Sequence, residues 1–180
     1  MDTRRLVPLS KLLSLILRHQ PEQFGVVLDP EGYADLREVF LAVQSRAPDA
    51  TESDLEAIVA TVEPEKQRFS INDGEIRANY GHSLASRIQH LPAVPPDVLW
   101  HGTTDVALVS ITARGILPMK RQYVHLTTNI QLANRIGSRH GTPRTIEVNA
   151  ARAHAEGTLF YRANDSFWLA DQIAPRHLNI

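Results

Sequence analysis

From Leu91 to Val98 the chain runs LPAVPPDV, which places three of its eleven prolines within eight residues. Proline fixes φ and supplies no backbone donor, so neither a helix nor a central strand continues through such a stretch. The apolar pattern also changes there. Before it, apolar residues mostly recur with the 3.6-residue period of helices; beyond it they fall in short runs with the period of strands. The 180 residues therefore read as an α+β, bilobed chain, residues 1–92 and 93–180, joined by a proline-rich linker.

In the first part Leu9, Leu12, Leu13, Ile16 and Leu17 form the stripe of an amphipathic helix that Pro21 stops. On that wheel His19 falls at the rim of the stripe and Arg18 points away from it. DPEGYADLREVF reads as a turn followed by a second helix, with Asp35 and Glu38 spaced as a capping box and Leu36, Val39, Phe40 and Val43 facing inward. TESDLEAIVATV repeats the device, with Thr51 and Asp54 at its start and Leu55, Ile58, Val59 and Val62 as its buried face. The period then drops to two in RFSINDGEIRA, where NDG between alternating runs signals a hairpin. With Phe69, Ile71, Ile76 and Ala78 inward, Arg68 and Arg77 face outward. Three helices followed by a hairpin is the order of a winged-helix-like module.

Beyond the prolines, VLWHGT, YVHLT, RTIEVNA, LFYRA and SFWLA read as strands. DVALVSITARG reads as a helix with Gly115 at its C-cap, and NIQLANRIGSRHG as a helix ending in a glycine-rich turn.

Composition narrows the function classes. No run approaches the roughly 18 apolar residues of a membrane span, and MDTRRLVPLS lacks the apolar region of a signal peptide. The absence of cysteine excludes disulfides, thiolate catalysis and cysteine-based metal sites, so cytoplasm is the default compartment. The net charge is −1, with 10 Lys/Arg against 14 Asp/Glu in residues 1–90 and 9 against 6 in residues 91–180. Nothing here coats nucleic acid by bulk charge; an anion must be held by individually placed arginines.

Eight histidines invite a metal reading, but there is no H-E-x-x-H and no i, i+4 pair with an acidic partner, so no metal is expected. His82, His90, His154 and His177 are scattered and read as surface or structural residues. Neither the P-loop nor the G-x-G-x-x-G fingerprint occurs, and GSRHG is weak evidence for a phosphate loop by itself. No carboxylate pair sits in a motif-like setting. The arginines stand out instead: Arg18 beside a histidine, Arg77 in IRANYGHS and Arg121 in MKRQYVHLT. Guanidinium groups hold phosphate bidentately and stay charged at any working pH. Converging on one point, they repel one another unless a dianion lies between them.

Four segments, in order, carry a family likeness. LSLILRHQPEQFGVVLDPEGYADL, RFSINDGEIRANYGHS, LWHGTT…ARGILPMKRQYVHLTTN and GSRHGTP…FYRANDSFWLA closely resemble the RNA 2'-phosphotransferase family of the KptA type, over roughly residues 9–178. The resemblance implies an N-terminal winged-helix-like RNA lobe and a C-terminal ADP-ribosyltransferase-like mixed β lobe. It also implies an NAD⁺-dependent removal of an internal 2'-phosphate from RNA. In the first step the 2'-phosphate attacks the nicotinamide-bearing carbon of NAD⁺ and nicotinamide leaves. In the second, the neighbouring ribose hydroxyl attacks phosphorus, RNA departs with a 2'-OH, and ADP-ribose 1'',2''-cyclic phosphate is released. NAD⁺ is thus consumed as a co-substrate.

Matched residue by residue, the family's catalytic Arg-His-Arg-Arg set falls on Arg18, His19, Arg77 and Arg121. Negative charge grows on phosphorus in the second step, where preorganised cations lower the barrier. A histidine there donates a proton to the leaving oxygen or hydrogen-bonds the phosphate. For NAD⁺ the resemblance points to His101, Gly102 and Thr103, the histidine to ribose and the glycine backbone to the nicotinamide amide. His125, Thr127 (in place of the usual serine) and the turn Gly137, Arg139 and His140 complete that set. Phe167 or Trp168 stands where many protein-modifying transferases carry glutamate, which an already anionic nucleophile does not need. Tyr80 replaces a usual glutamine, and Asp165, Ser166 and Ala170 replace asparagine, glycine and threonine.

Two other readings compete. One is an ADP-ribosyltransferase that caps terminal nucleic-acid phosphates and stalls before transesterification; a stable ADP-ribosylated product separates it. The other is a non-catalytic winged-helix binder, which shows no NAD⁺ binding in calorimetry. The expected partner is RNA bearing an internal 2'-phosphate, as left at splice junctions or in RNA repair, with no membrane and a monomeric chain.

Overall fold

The computed structural model describes residues 3–180 apart from Val62 and His140, so the expectations placed on those two lie outside the described residues. The chain forms two compact units, one ending at Gln89 and one beginning at His90.

In the first unit the leucine stripe becomes α1 (Thr3–Arg18), with Leu13, Ile16 and Leu17 wholly buried. α2 (Leu36–Gln44) is capped by Asp35 Oδ1, which accepts from the Glu38 N–H at 2.9 Å. α3 (Glu52–Val59) has the fully reciprocal box: Thr51 Oγ1 accepts from Asp54 N–H, and the Asp54 carboxylate accepts from Thr51 N–H. Their apolar faces, Val39, Val43, Leu55 and Ile58, close one core with α1 and the inner side of the hairpin, Phe69, Ile76 and Ala78.

The hairpin is β2 (Phe69–Asn72) and β3 (Glu75–Ala78), with Phe69 opposite Ala78 and Ile71 opposite Ile76. Its two-residue loop has Asp73 at φ 48° and Gly74 at φ 81°, both left-handed, which matches the twist of paired strands. The expected turn before α2 contains a further strand, β1 (Tyr33–Asp35), which pairs antiparallel with β3 and sets Tyr33 opposite Arg77. The result is a three-stranded sheet ordered β1-β3-β2.

Arg18, expected to point away from the apolar stripe and taken singly to be a solvated surface residue, is only 8% exposed, whereas His19 is exposed. The wheel assumed water on the far side of α1. At its last turn that side is instead covered by Phe69 and by residues 79–83, with Ser83 N–H donating to the Arg18 carbonyl at 3.0 Å.

The second unit is a six-stranded antiparallel sheet. Its strands are β4 (Val98–Thr104), β5 (Val124–Thr127), β6 (Pro143–Asn149), β7 (Phe160–Arg162), β8 (Phe167–Ala170) and β9 (Leu178–Asn179), in the order β7-β8-β5-β4-β6-β9. Helices α4 (Asp105–Arg114), α5 (Ile130–Gly137) and α6 (Ala150–Ala155) interrupt it, with Gly115 at the C-cap of α4. The proline-rich stretch is not a free linker. Ala93 N–H donates to the Phe160 carbonyl at 2.8 Å, and Pro92 bridges to Tyr161, so it lies along the edge strand, where a missing proline donor costs no ladder bond. Among the described residues no helix is long and apolar enough to cross a membrane.

Candidate active site

In the first unit the candidate residues gather around the segment that leaves β3. The hairpin ladder extends one step past Ala78, where Asn79 N–H donates to the Arg68 carbonyl at 2.9 Å. Asn79 is buried, and its side-chain carbonyl accepts from the Ser70 hydroxyl at 2.6 Å, which pins the start of the segment. The same Arg68 carbonyl accepts from the Arg18 guanidinium at 3.3 Å. The Arg18 guanidinium carbon lies 5.3 Å from the Phe69 ring centroid and 5.0 Å from that of Tyr80. A buried cation is tolerated there because ring faces, a carbonyl and the negative end of α1 all favour positive charge.

His19, one residue on, places Nδ1 2.8 Å from the Ser83 hydroxyl. The structure thus brings Arg18 and His19 together with residues 79–83. Arg77 sits immediately upstream on β3, half-buried, its guanidinium 4.6 Å from the Tyr33 ring centroid. Its Nε–H is buried and meets no acceptor among the described residues. Arg121, in the second unit, is exposed on a turn in which its N–H donates to the Pro118 carbonyl at 3.0 Å.

The second candidate set lies where the larger sheet splays. β4 pairs with β6 over all seven residues, but with β5 at the single position Trp100–Thr127. Past Trp100 the strands separate, and the His101 side chain spans the gap with Nδ1 3.0 Å from the His125 carbonyl. A carbonyl only accepts, so Nδ1 carries the proton and Nε2 is left as an acceptor. Burial holds the His101 pKa below its ordinary value, against a smaller opposing pull from that hydrogen bond, so the ring is neutral near pH 7. Neutral, acceptor-bearing and mostly enclosed, it suits a ribose hydroxyl donor.

Gly102 and Gly137 have a packing role. A Cβ on Gly102 would collide with the Ala133 carbonyl, and one on Gly137 with the Thr103 carbonyl, because β4 and α5 touch backbone to backbone. Gly137, expected in a turn, is the last residue of α5. Thr103 and Thr127 are buried, and Thr127 Oγ1 accepts from Asn129 N–H at 3.2 Å, bracing the entry to α5. His125 is half-buried on β5, and Arg139 is exposed just after α5.

The substituted positions near β8 also have local roles. Asp165 pairs with Arg162 at 2.7 Å, the Ser166 carbonyl accepts from Thr128 N–H at 3.2 Å, and Ala170 is buried opposite Val124. Phe167 and Trp168 are both buried. Sequence reasoning missed Ser83, Tyr33 and the Arg68 carbonyl as neighbours of the arginines. Ser83 ends the quoted IRANYGHS segment, but no periodicity marks it.

Residues 4–172 match the model of the "RNA 2'-phosphotransferase, Tpt1 / KptA family". Curated relatives agree over nearly their full lengths. A "Probable RNA 2'-phosphotransferase" of Nostoc punctiforme is 40% identical over 180 residues, covering 99% of this chain and 98% of its own. One of Pseudomonas aeruginosa is 41% identical over 182 residues, again covering 99% and 98%. A third, from Acetivibrio thermocellus, is 38% identical over 173 residues and covers 94% of each. With a match that spans both units, the chain belongs to the RNA 2'-phosphotransferase, Tpt1 / KptA family of transferases.

Proposed function

We propose that the chain moves an internal RNA 2'-phosphate onto the ADP-ribosyl group of NAD⁺, leaving RNA with a 2'-OH and releasing nicotinamide and ADP-ribose 1'',2''-cyclic phosphate. In this reading the first unit is a winged-helix-like RNA lobe and the second an ADP-ribosyltransferase-like lobe. The observation that carries it is the Arg77 guanidinium. It is half-buried over Tyr33 with an Nε–H that meets no acceptor among the described residues. Leaving a buried donor unmet costs about 1–3 kcal/mol, and a phosphate oxygen meets it with a charge-assisted bond.

NAD⁺ supplies the electrophilic ribose carbon and a leaving group. The residues at the splayed strands fit it: His101 accepts from a ribose hydroxyl through Nε2, and its neutral ring adds no charge beside the cationic nicotinamide. Thr103 on β4 and His125 and Thr127 on β5 lie on the two strands beside the gap, and Gly102 and Gly137 let α5 close against β4. The RNA 2'-phosphate is already anionic, so Phe167 and Trp168 in place of a carboxylate remove no base that it needs.

In the second step the ribose 2''-hydroxyl gives up its proton as its oxygen bonds to phosphorus, the bond from phosphorus to the RNA oxygen breaks, and that oxygen takes up a proton, so none is gained or lost overall. Charge on phosphorus peaks here. Arg18, held by the Arg68 carbonyl and two rings, and Arg77 stabilise it, with Arg121 as the fourth member of the family's set. His19, its Nδ1 paired with the Ser83 hydroxyl, gives the departing oxygen its proton.

The test is a short RNA with one internal 2'-phosphate, incubated with the enzyme and analysed by mass. Loss of the phosphate only when NAD⁺ is present supports the proposal. An unchanged RNA in the presence of NAD⁺ overturns it.

A further inference from the structure

Tyr80 stands where the resembling family usually carries glutamine, and the structure gives it a specific neighbour. Its ring centroid lies 5.0 Å from the guanidinium carbon of Arg18, beside Phe69 at 5.3 Å. Arg18 presents five N–H donors in one rigid plane. One is taken by the Arg68 carbonyl at 3.3 Å, and the two rings restrict how the plane can turn about that bond. Both rings are anchored on the hairpin side. Phe69 is 1% exposed in the core, and Tyr80 directly follows Asn79, which is tied to Ser70 and to the Arg68 carbonyl. Hairpin and segment thus hold both rings, and the rings hold the arginine.

We infer that Tyr80 is a positioning residue that fixes the Arg18 guanidinium to the hairpin carrying Arg77, so that the two cations keep a set geometry. The inference rests on the proposed role of Arg18 at the reacting phosphate. A ring–guanidinium contact away from bulk water is among the stronger of its kind, and misplacement of a cation at a charge-developing centre slows turnover.

The experiment is a double-mutant cycle read as single-turnover loss of RNA 2'-phosphate. Tyr80→Leu is expected to slow it about tenfold, equivalent to about 1.4 kcal/mol, with the KM for NAD⁺ unchanged. Tyr80→Phe keeps the ring and restores the wild-type rate. In an Arg18→Ala background, Tyr80→Leu adds no further loss, because the group it positions is gone. Thermal melts check that each variant is folded, and Tyr80→Met replaces Tyr80→Leu where the latter melts below assay temperature. A tenfold loss that persists in the Arg18→Ala background, or a Phe variant as slow as the Leu variant, overturns the inference and leaves the proposed function standing. Wild-type turnover by Arg18→Ala overturns the assigned role of Arg18 itself, and this inference with it.

Discussion

Replacing Arg77 by methionine separates catalysis from stability. Methionine keeps an unbranched apolar stem over Tyr33 and removes the guanidinium. The folded protein then loses a cation–ring contact, at 4.6 Å and half-exposed, of about 0.5–1 kcal/mol. It also loses a buried N–H without an acceptor, whose removal returns about 1–3 kcal/mol. The net change in folding stability is therefore between about zero and about 2.5 kcal/mol of stabilisation. Turnover should move the other way by much more. A preorganised donor at a charge-developing centre contributes about 3–4 kcal/mol, so the rate of 2'-phosphate removal falls about 10²–10³-fold. Urea unfolding with an unchanged m-value reports the first quantity, and single-turnover kinetics on 2'-phosphorylated RNA the second. Destabilisation by more than about 2 kcal/mol with near wild-type turnover of the folded fraction would refute the reasoning. Arg77 would then be a structural strand residue.

Four further outcomes follow from the second unit. His101→Ala should raise the KM for NAD⁺ and slow nicotinamide release; unchanged NAD⁺ kinetics removes His101 from the pocket. Because burial lowers the His101 pKa, its neutral form prevails near pH 7, and acidification below the unfolded value of about 6.5 favours the unfolded chain, which binds the extra proton more readily. The folded enzyme should therefore lose stability as pH falls through that region, and lose NAD⁺ affinity as the ring charges; an affinity that rises on acidification contradicts the neutral-acceptor role. Gly102→Ala drives a methyl into the Ala133 carbonyl and should cost at least about 1–3 kcal/mol in urea unfolding, and a neutral result means β4 and α5 are not in backbone contact. Glu156 accepts from both Arg152 and Arg176, which lowers its pKa to about 2, so the stabilisation it brings is present above its ordinary value of 4.5 and is lost as pH falls toward 2. A carboxyl carbon titration by NMR with a midpoint near 4.5 would show the pairs are not populated in solution.

Much of the architecture was legible because it is locally encoded. The leucine stripe of α1, the Thr51–Asp54 box and the Asn72-Asp73-Gly74 turn each state their structure within one turn of chain. What escaped was non-local. β1 is three residues long and exists because β3, some forty residues later, offers it an edge. Arg18 looked solvated because a helical wheel cannot show that residues 79–83 return to cover one end of the helix. Gly137 looked like a turn residue because its need for glycine comes from the Thr103 carbonyl of a different strand. For the candidate site, residue identity came from the family resemblance. The reasons those residues are held as they are, including the His101 tautomer and the ring contacts of Arg18 and Arg77, lie in tertiary packing.

In the proposed mechanism the arginines act in the phosphorus-centred second step, and the time course of each variant's products tests this most directly. Mass analysis through time of Arg18→Ala, Arg77→Ala and Arg121→Ala reactions with 2'-phosphorylated RNA and NAD⁺ should show RNA gaining an ADP-ribosyl group that persists while nicotinamide is released. Failure of all three variants to release nicotinamide, with no ADP-ribosylated RNA at any time, would contradict it.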